Sequence, residues 1–181
     1  RDGAVHLFRG LELGTFTLVD GAGSDDNDSF TIFGDKLQVL HTLDHEIKHE
    51  YFIRVRGTDT GGDIEKAFTI HVSNANEAPG AAALDPGTVA ENQKAGTSVG
   101  HVTVSNPEKG EKLTVTLAPD DDTVDNEFFS FSKGVLKTAA VLDHDTTPEL
   151  KVKLIATDED GLSTESIVTV TVTNLNEPPT D

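Results

Sequence analysis

The sequence repeats itself at an interval of about one hundred residues. The matching segments, first copy before second, are residues 30–37 and 129–136, 43–46 and 142–145, 58–59 and 157–158, and 74–79 and 174–179. The offset is 99 for the first three pairs and 100 for the last. A fixed repeat of this length marks an array of whole domains. We therefore predict one domain over residues 1–78, a second over 79–177, and the start of a linker to a further module over 178–181.

Each copy carries the alternation of apolar and polar residues that is typical of half-buried strands. The apolar members are Tyr51, Ile53, Val55, Phe68, Ile70 and Val72 in the first copy, and Leu150, Val152, Leu154, Val168, Val170 and Val172 in the second. Turn signals such as the Gly61-Gly62 pair separate these runs, and no amphipathic helix is visible. Several short strands per hundred residues predict an all-β sandwich for each copy.

The two copies are not equally complete. At the offset of 99, Arg1 corresponds to Gly100, so the first copy has no counterpart of residues 84–99. We expect it to lack its N-terminal strand and to expose a sheet edge. An exposed edge also predicts weak self-association.

Composition narrows the classes of partner. Thirty-two acidic residues against fourteen basic ones give a formal charge of −18. This self-repulsion argues against nucleic acid or an anionic membrane surface as a partner. It suits a cation such as Ca²⁺, although a well-solvated surface is an equally good interpretation. Cysteine is absent, so neither a disulfide nor a thiolate ligand is available, and no apolar run approaches the length of a membrane span.

Acidic and amide residues recur at the same places in both copies. Two acidic residues end the segment that leads into a core strand (Asp44 and Glu46, Asp143 and Asp145), and one aspartate lies in the turn after that strand (Asp59, Asp158). Others lie in the linker between the copies (Asn74, Asn76, Glu77), and the second copy adds Glu91 and Asn92. Hard cations need six to eight oxygen ligands, more than one such loop supplies. A site shared between successive domains could collect them. The alternative is that these residues only cap and close turns.

Four of these segments together resemble the motifs of a known family. Residues 43–46 (L-D-H-E) resemble its L-D-R-E motif, and residues 58–61 (T-D-T-G) resemble A-x-D-x-G. Residues 89–92 (V-A-E-N) resemble the P-E-N segment, and residues 74–79 (N-A-N-E-A-P) resemble the linker D-x-N-D-N-x-P. In this order the motifs resemble tandem cadherin repeats of the bacterial cadherin-like kind. The resemblance implies two tandem Greek-key β-sandwiches, cadherin/Ig-like, in an extracellular or cell-surface (secreted) protein.

The resemblance also implies calcium ligands, because the motifs of that family bind calcium where two domains join. The implied ligands at the junction are Asp44, Glu46, Asn74, Asn76, Glu77, Asn106, Glu108 and Asp158. A second half-site would take Glu91, Asp143, Asp145, Asn174, Asn176 and Glu177. Asn74 and Asn106 stand where the family has aspartate, and the first copy has no equivalent of Glu91. Each lost charge weakens binding, so we expect fewer ions or a Kd on the order of 10⁻⁴–10⁻³ M.

Residues 45–49 match the zinc-protease motif H-E-x-x-H. That chemistry needs both histidines on one face of a helix. The segment leads instead into the strand that begins near Tyr51, and the second copy has Pro148 in place of His49. We therefore predict no catalytic zinc, and we expect His45 and its counterpart to be exposed beside the junction. The acidic runs 25–28 and 120–122 are interpreted as solvated loop tips.

These observations favour a calcium-binding adhesion or structural module in which calcium stiffens the linker. The alternative is a calcium-dependent carbohydrate-binding module, although the chain has no tryptophan and only one tyrosine for a sugar platform. A metal-dependent enzyme is the third hypothesis, and we predict that the chain is not an enzyme. Partners besides calcium would be a cell-surface protein, a polysaccharide or a second copy of the chain.

Overall fold

The computed structural model describes residues 5–6, 14–119, 121 and 123–176. The chain divides into two compact units, of which the first ends at Ala75 and the second begins at Asn76. Within the described residues the only helical segments are two single 3₁₀ turns, Asn27–Ser29 and Asn126–Phe128. No helix in this part of the chain is long and apolar enough to cross a membrane.

Six strands build the described part of the first unit. They are β1 (Val5–His6), β2 (Thr15–Leu18), β3 (Phe30–Phe33), β4 (Lys36–Val39), β5 (Glu50–Asp59) and β6 (Gly62–His71). They form two sheets in the orders β1-β4-β3 and β2-β5-β6, and every pair is antiparallel. The inward residues of β5, which are Tyr51, Ile53 and Val55, are buried between the sheets as the alternation predicted.

The second unit has eight strands. They are β7 (Ala82–Pro86), β8 (Thr88–Ala90), β9 (Ser98–Val104), β10 (Thr114–Leu117), β11 (Phe129–Ser132), β12 (Val135–Thr138), β13 (Glu149–Thr157) and β14 (Ser163–Thr173). The sheet orders are β11-β12-β9-β7 and β10-β13-β14-β8, and β8 is parallel to β14. Gly87 has a φ of +71°, and this left-handed conformation lets the chain leave β7 in one sheet and enter β8 in the other.

The predicted all-β sandwich fold class is confirmed. Strands β1–β6 correspond in order to β9–β14, and the described residues of the first unit contain no counterpart of β7 and β8. This difference affects packing. Val170 and Val172 of β14 are fully buried beside β8, whereas Ile70 and Val72 in the equivalent positions are only half-buried.

An Asp-Asn pair at the start of each 3₁₀ turn, with the aspartate as N-cap and the asparagine as first residue, attaches that turn to the neighbouring core strand. Asn126 is buried; its Nδ2 donates to the carbonyl oxygens of Ala118 (2.8 Å) and Lys153 (2.9 Å), and its Oδ1 accepts from the Lys153 N–H (2.8 Å). Asn27 makes the equivalent bonds to Val19 and Arg54 in the first unit. These amides accept from the Lys153 and Arg54 N–H groups and donate to the carbonyl oxygens of Ala118 and Val19, just beyond the ends of β10 and β2, so they are structural.

The interpretation of the acidic runs as solvated loop tips is wrong for Asp26. Its carboxylate accepts the Phe52 N–H at 2.8 Å and forms an ion pair with Lys48. Burial raises the pKa of Asp26, but the hydrogen bonds and charge of these partners lower it by more, so the net shift is downward. Asp121 is exposed, yet hydrogen bonds from Thr123 and from Lys153 (3.0 Å) lower its pKa to about 2. Asp120 and Asp122 lie outside the described residues.

Candidate metal sites

Three segments of the second unit bring polar side chains together at its beginning. They are the residues before β7, the loop that follows β9, and the turn that follows β13. Asp158, in that turn, is only 7% exposed. Its Oδ1 accepts the Leu162 N–H at 2.8 Å, which holds the carboxylate in place. Its Oδ2 accepts Nδ2 of Asn76 at 2.9 Å, so the amide oxygen of Asn76 lies on the other side of that group.

Two further carboxylates approach each other in the same unit. Oxygen atoms of Glu77 and Glu108 lie within 4.8 Å of one another. Two carboxylates at this separation repel unless a proton or a cation compensates them. Glu108 is held in place by its backbone N–H, which donates to Oδ1 of Asn106 at 3.2 Å. The group offers carboxylate and amide oxygens only, which is the ligand chemistry that Ca²⁺ and Mg²⁺ prefer.

Glu111 also belongs to this group, although no motif in the sequence points to it. Its Oε2 accepts Nδ2 of Asn106 at 3.2 Å, and its Oε1 accepts the Glu159 N–H at 3.0 Å. It therefore ties the loop after β9 to the turn after β13. The motif comparison could not find it, because nothing in the repeat distinguishes Glu111 from the other acidic residues of a strongly acidic chain.

Asn76 controls the acidity of Asp158. Burial raises the pKa of Asp158, but hydrogen bonds from Asn76 and from the N–H groups of Leu162, Gly161 and Asp160 outweigh it, so that the pKa falls below 3.8. A depressed folded-state pKa adds stability above pH of about 4 that is lost as the pH falls through the folded value.

In metal-free protein, Asn76→Ala is expected to raise the Asp158 pKa. An NMR titration of the side-chain carboxyl measures it, and an unchanged or lower pKa would contradict the assignment.

A second group lies at the other end of the same unit and is centred on Glu91. The side chain is 1% exposed. Its Oε2 accepts the His144 N–H at 2.8 Å, and its Oε1 accepts the Leu175 N–H at 2.6 Å. Glu91 thus joins the end of β8, the turn before β13 and the segment after β14. Carboxylate oxygens have further lone pairs, so these bonds leave capacity for a cation.

Four of the remaining predicted ligands of this second group, Asp143, Asp145, Asn174 and Asn176, are exposed. Asp143 accepts the Asp145 N–H through Oδ1 at 2.9 Å, which fixes the turn that both residues occupy. Asn174 and Asn176 follow β14 directly. Glu177 lies outside the described residues.

In the first unit, the predicted ligands lie on the turn before β5 and after β6. Asp44 is exposed and its Oδ1 accepts the Ile47 N–H at 2.9 Å, while Glu46 is half-buried on the same turn. Asn74 is exposed beyond the end of β6. The first unit by itself therefore presents two carboxylates and one amide on two segments.

The H-E-x-x-H segment forms a turn, and its first histidine makes a hydrogen bond to the backbone. Residues 45–47 form a turn and the described segment 45–49 contains no helix, as predicted. The expectation that His45 and His144 are exposed is wrong, since both are half-buried. Nδ1 of His45 donates to the Val72 carbonyl oxygen at 2.8 Å, and Nδ1 of His144 donates to that of Val172 at 2.8 Å. Both copies use the imidazole to attach this turn to the last strand, a role that the motif alone does not indicate.

Comparison with known proteins gives a family match over the second copy. Residues 85–173 match the family model described as Cadherin domain. The chain is 33% identical over 156 residues to Protocadherin-16 of Mus musculus, an alignment that covers 77% of this chain and 5% of that protein. It is 26% identical over 194 residues to Protocadherin Fat 1 of Homo sapiens, with 97% and 4% covered. The chain thus spans about one twentieth of the length of these curated relatives.

Solved structures agree on the fold. The structure of PcdhgB3 EC1-4 has a TM-score of 0.57 at 20% identity, with 90% of this chain and 41% of that chain covered. The protocadherin gammaB7 EC3-6 cis-dimer structure has a TM-score of 0.55 at 22% identity, with 98% and 44% covered. At these identities the likeness shows the β-sandwich fold.

Proposed function

We propose that the second copy, which matches the Cadherin domain model over residues 85–173, is a cadherin repeat, and that this chain is a calcium-binding adhesion and structural module of a longer extracellular or cell-surface protein. The observation that carries the proposal is the group at the start of the second unit. There, oxygens of Glu77 and Glu108 lie within 4.8 Å of each other. The Asp158 carboxylate accepts a hydrogen bond from Asn76, the residue before Glu77. This is a negative, oxygen-only site that a divalent cation would stabilise.

Its ligands in the second unit would be Asn76, Glu77, Asn106, Glu108 and Asp158. The chain that enters this group comes directly from Asn74, and we propose that Asn74, Asp44 and Glu46 add oxygens from the first copy. An ion that binds residues on both sides of the boundary at Ala75 restricts the linker. Binding to the native state alone stabilises it by RT ln(1 + [Ca²⁺]/Kd). With a Kd on the order of 10⁻⁴ M, millimolar calcium adds about 1.4 kcal/mol.

The group centred on Glu91 would be a second calcium half-site. Its proposed ligands are Glu91, Asp143, Asp145, Asn174, Asn176 and Glu177. Glu91 is already fixed by two backbone N–H groups, so its carboxylate is preorganised for an ion. Further oxygens from a following module would complete the coordination that Ca²⁺ needs.

The carbohydrate-binding alternative has little aromatic surface to use. The single tyrosine, Tyr51, is buried in the first core with its ring edge-to-face against Phe30. The chain has no tryptophan. We therefore propose a module that works through calcium and protein contacts and has no enzymatic activity. The relatives are animal proteins, so the bacterial form of the repeat stays a prediction, as does self-association.

Asp158→Asn is expected to weaken calcium binding at the site at the start of the second unit by about tenfold or more, because it removes one negative charge from the ligand set. Isothermal titration calorimetry of the metal-stripped chain with CaCl₂ measures the change, and MgCl₂ serves as the ion control. Asp160→Asn is the matched variant, since Asp160 is exposed and two residues away. Equal affinities for Asp158→Asn and the unmodified chain, or equal affinities for Ca²⁺ and Mg²⁺, would overturn the proposal.

A further inference from the structure

A groove opens between the two sheets of the second unit and has a volume of about 450 Å³. Its apolar lining comes from both sheets and from the loop that joins β9 to β10: Val102, Val104, Leu113, Val115 and Phe131. Each of these side chains is half-buried, unlike the sealed core beneath them. The volume lies within the range of about 300–1,000 Å³ that is typical of small-molecule sites.

Thr114 and Gly134 also line the groove, and two lysines, Lys112 and Lys133, complete the lining. Their presence is notable in a chain with a formal charge of −18 and only fourteen basic residues. At the repeat offset of 99, the first copy has Leu13 and Gly34 at these positions, so the positive charges belong to the second copy alone.

Lys133 occupies an unfavourable backbone conformation. It is the first of two residues in the β11–β12 turn, with a φ of +53°, and Gly134 follows with a φ of +77°. Asn or Gly is strongly preferred at the first position of such a turn, and a side chain such as lysine is strained there. The first copy has Gly34 at the equivalent position with a φ of +64°. Strain that the fold does not require is a reason to look for a function of the side chain.

We propose that this groove binds an amphiphile that carries one anionic group and an unbranched apolar tail, of the class of a medium-chain carboxylate. The tail lies along Val102, Val115 and Phe131, and the carboxylate lies at the rim against the ammonium groups of Lys112 and Lys133. The charges decide between ligands of this shape. The acidic remainder of the chain repels anions, and the two lysines are the attractive charges at the groove.

The test is an NMR titration of the full ¹⁵N-labelled chain with sodium decanoate in calcium-free buffer, which avoids insoluble calcium soaps. Decyltrimethylammonium, with the same tail and opposite charge, is the ligand control. We expect saturable shifts of the amide resonances of Val102, Val115, Phe131 and Gly134 with decanoate, and weaker binding of the cation. Shifts that do not saturate, that lie elsewhere, or that are equally strong with decyltrimethylammonium would overturn the proposal.

Charge-reversal variants test the two lysines directly. Lys112→Glu and Lys133→Glu together are expected to weaken decanoate binding about fivefold or more, since each removes an exposed attractive charge and adds a repulsive one. Lys94→Glu is the control, because Lys94 is exposed in the same unit and does not line the groove. Lys94→Glu changes the charge by the same amount as either single groove variant, and it is expected to alter the affinity less than twofold. If Lys94→Glu lowered the affinity as much as Lys112→Glu or Lys133→Glu alone, the proposal would be contradicted.

Discussion

Glu91→Ala is expected to lower the free energy of unfolding of the second unit by about 3 kcal/mol, even without calcium. The substitution leaves the N–H groups of His144 and Leu175 without the charged acceptor that both now use. Hydrogen bonds to charged groups contribute about 1.5–3 kcal/mol each, and a buried donor without a partner adds a desolvation cost. Urea unfolding followed by far-ultraviolet circular dichroism measures the change.

Two comparisons separate this effect from a general loss of charge. Glu149→Ala removes an exposed glutamate of the same unit and is expected to change stability by less than about 0.5 kcal/mol. Tyr51 is the only tyrosine and is buried in the first core, so its fluorescence follows the first unit. The Tyr51 transition is expected to stay in place in Glu91→Ala. A fully stable Glu91→Ala protein would mean that the two N–H groups find other partners and that Glu91 is kept for calcium alone.

Asn126→Ala is expected to destabilise the second unit by about 2–4 kcal/mol. The amide makes three hydrogen bonds to backbone groups of Ala118 and Lys153, and alanine can replace none of them. The Ala118 carbonyl and the Lys153 N–H lose this partner, whereas the Lys153 carbonyl still accepts the Ala118 N–H at 2.9 Å. Each buried backbone group that loses its partner costs about 1–3 kcal/mol, and relaxation recovers part of this. The same urea titration measures the loss.

The repeat provides an internal control for this prediction. Asn27→Ala removes the equivalent amide from the first unit and is expected to move the Tyr51 fluorescence transition to lower urea, whereas Asn126→Ala is not. Glu127→Ala, at the exposed neighbour of Asn126, is expected to have little effect. If Asn126→Ala were as stable as Glu127→Ala, the amide would not be the fastening that the hydrogen bonds indicate.

The strands were predictable because their signal is local. Tyr51, Ile53 and Val55 alternate with outward residues, and the same alternation recurs one repeat later at Leu150. The absence of a β7 and β8 counterpart from the described first unit also followed from the repeat offset. The roles of Asp26 and Asn126 did not, because their partners lie 26 and 27 residues away in sequence, at Phe52 and Lys153. No periodic pattern encodes such a pairing.

The candidate site was predictable only in part, for a similar reason. Motif order indicated Asp158 and Asn76, and the structure joins them by a hydrogen bond across 82 residues of sequence. Glu111 was missed, since one more glutamate in an acidic loop carries no spacing signal. The burial of Glu91 and the backbone attachments of the two motif histidines depend on tertiary packing. Sequence alone therefore identified candidate ligands but could not distinguish which of them the fold holds in place.

The central claim is that calcium binds the native state of this chain and stabilises it. The most direct measurement is a thermal melt of the metal-stripped protein, repeated across a calcium titration from micromolar to 10 mM, with magnesium in parallel. We predict a Tm that begins to rise near the Kd and then increases with the logarithm of the calcium concentration. Calcium is expected to produce this rise at lower concentration than magnesium, and the rise is expected to be reduced in Asp158→Asn. A Tm that does not change up to 10 mM calcium, or that rises equally with both ions and in Asp158→Asn, would contradict the account.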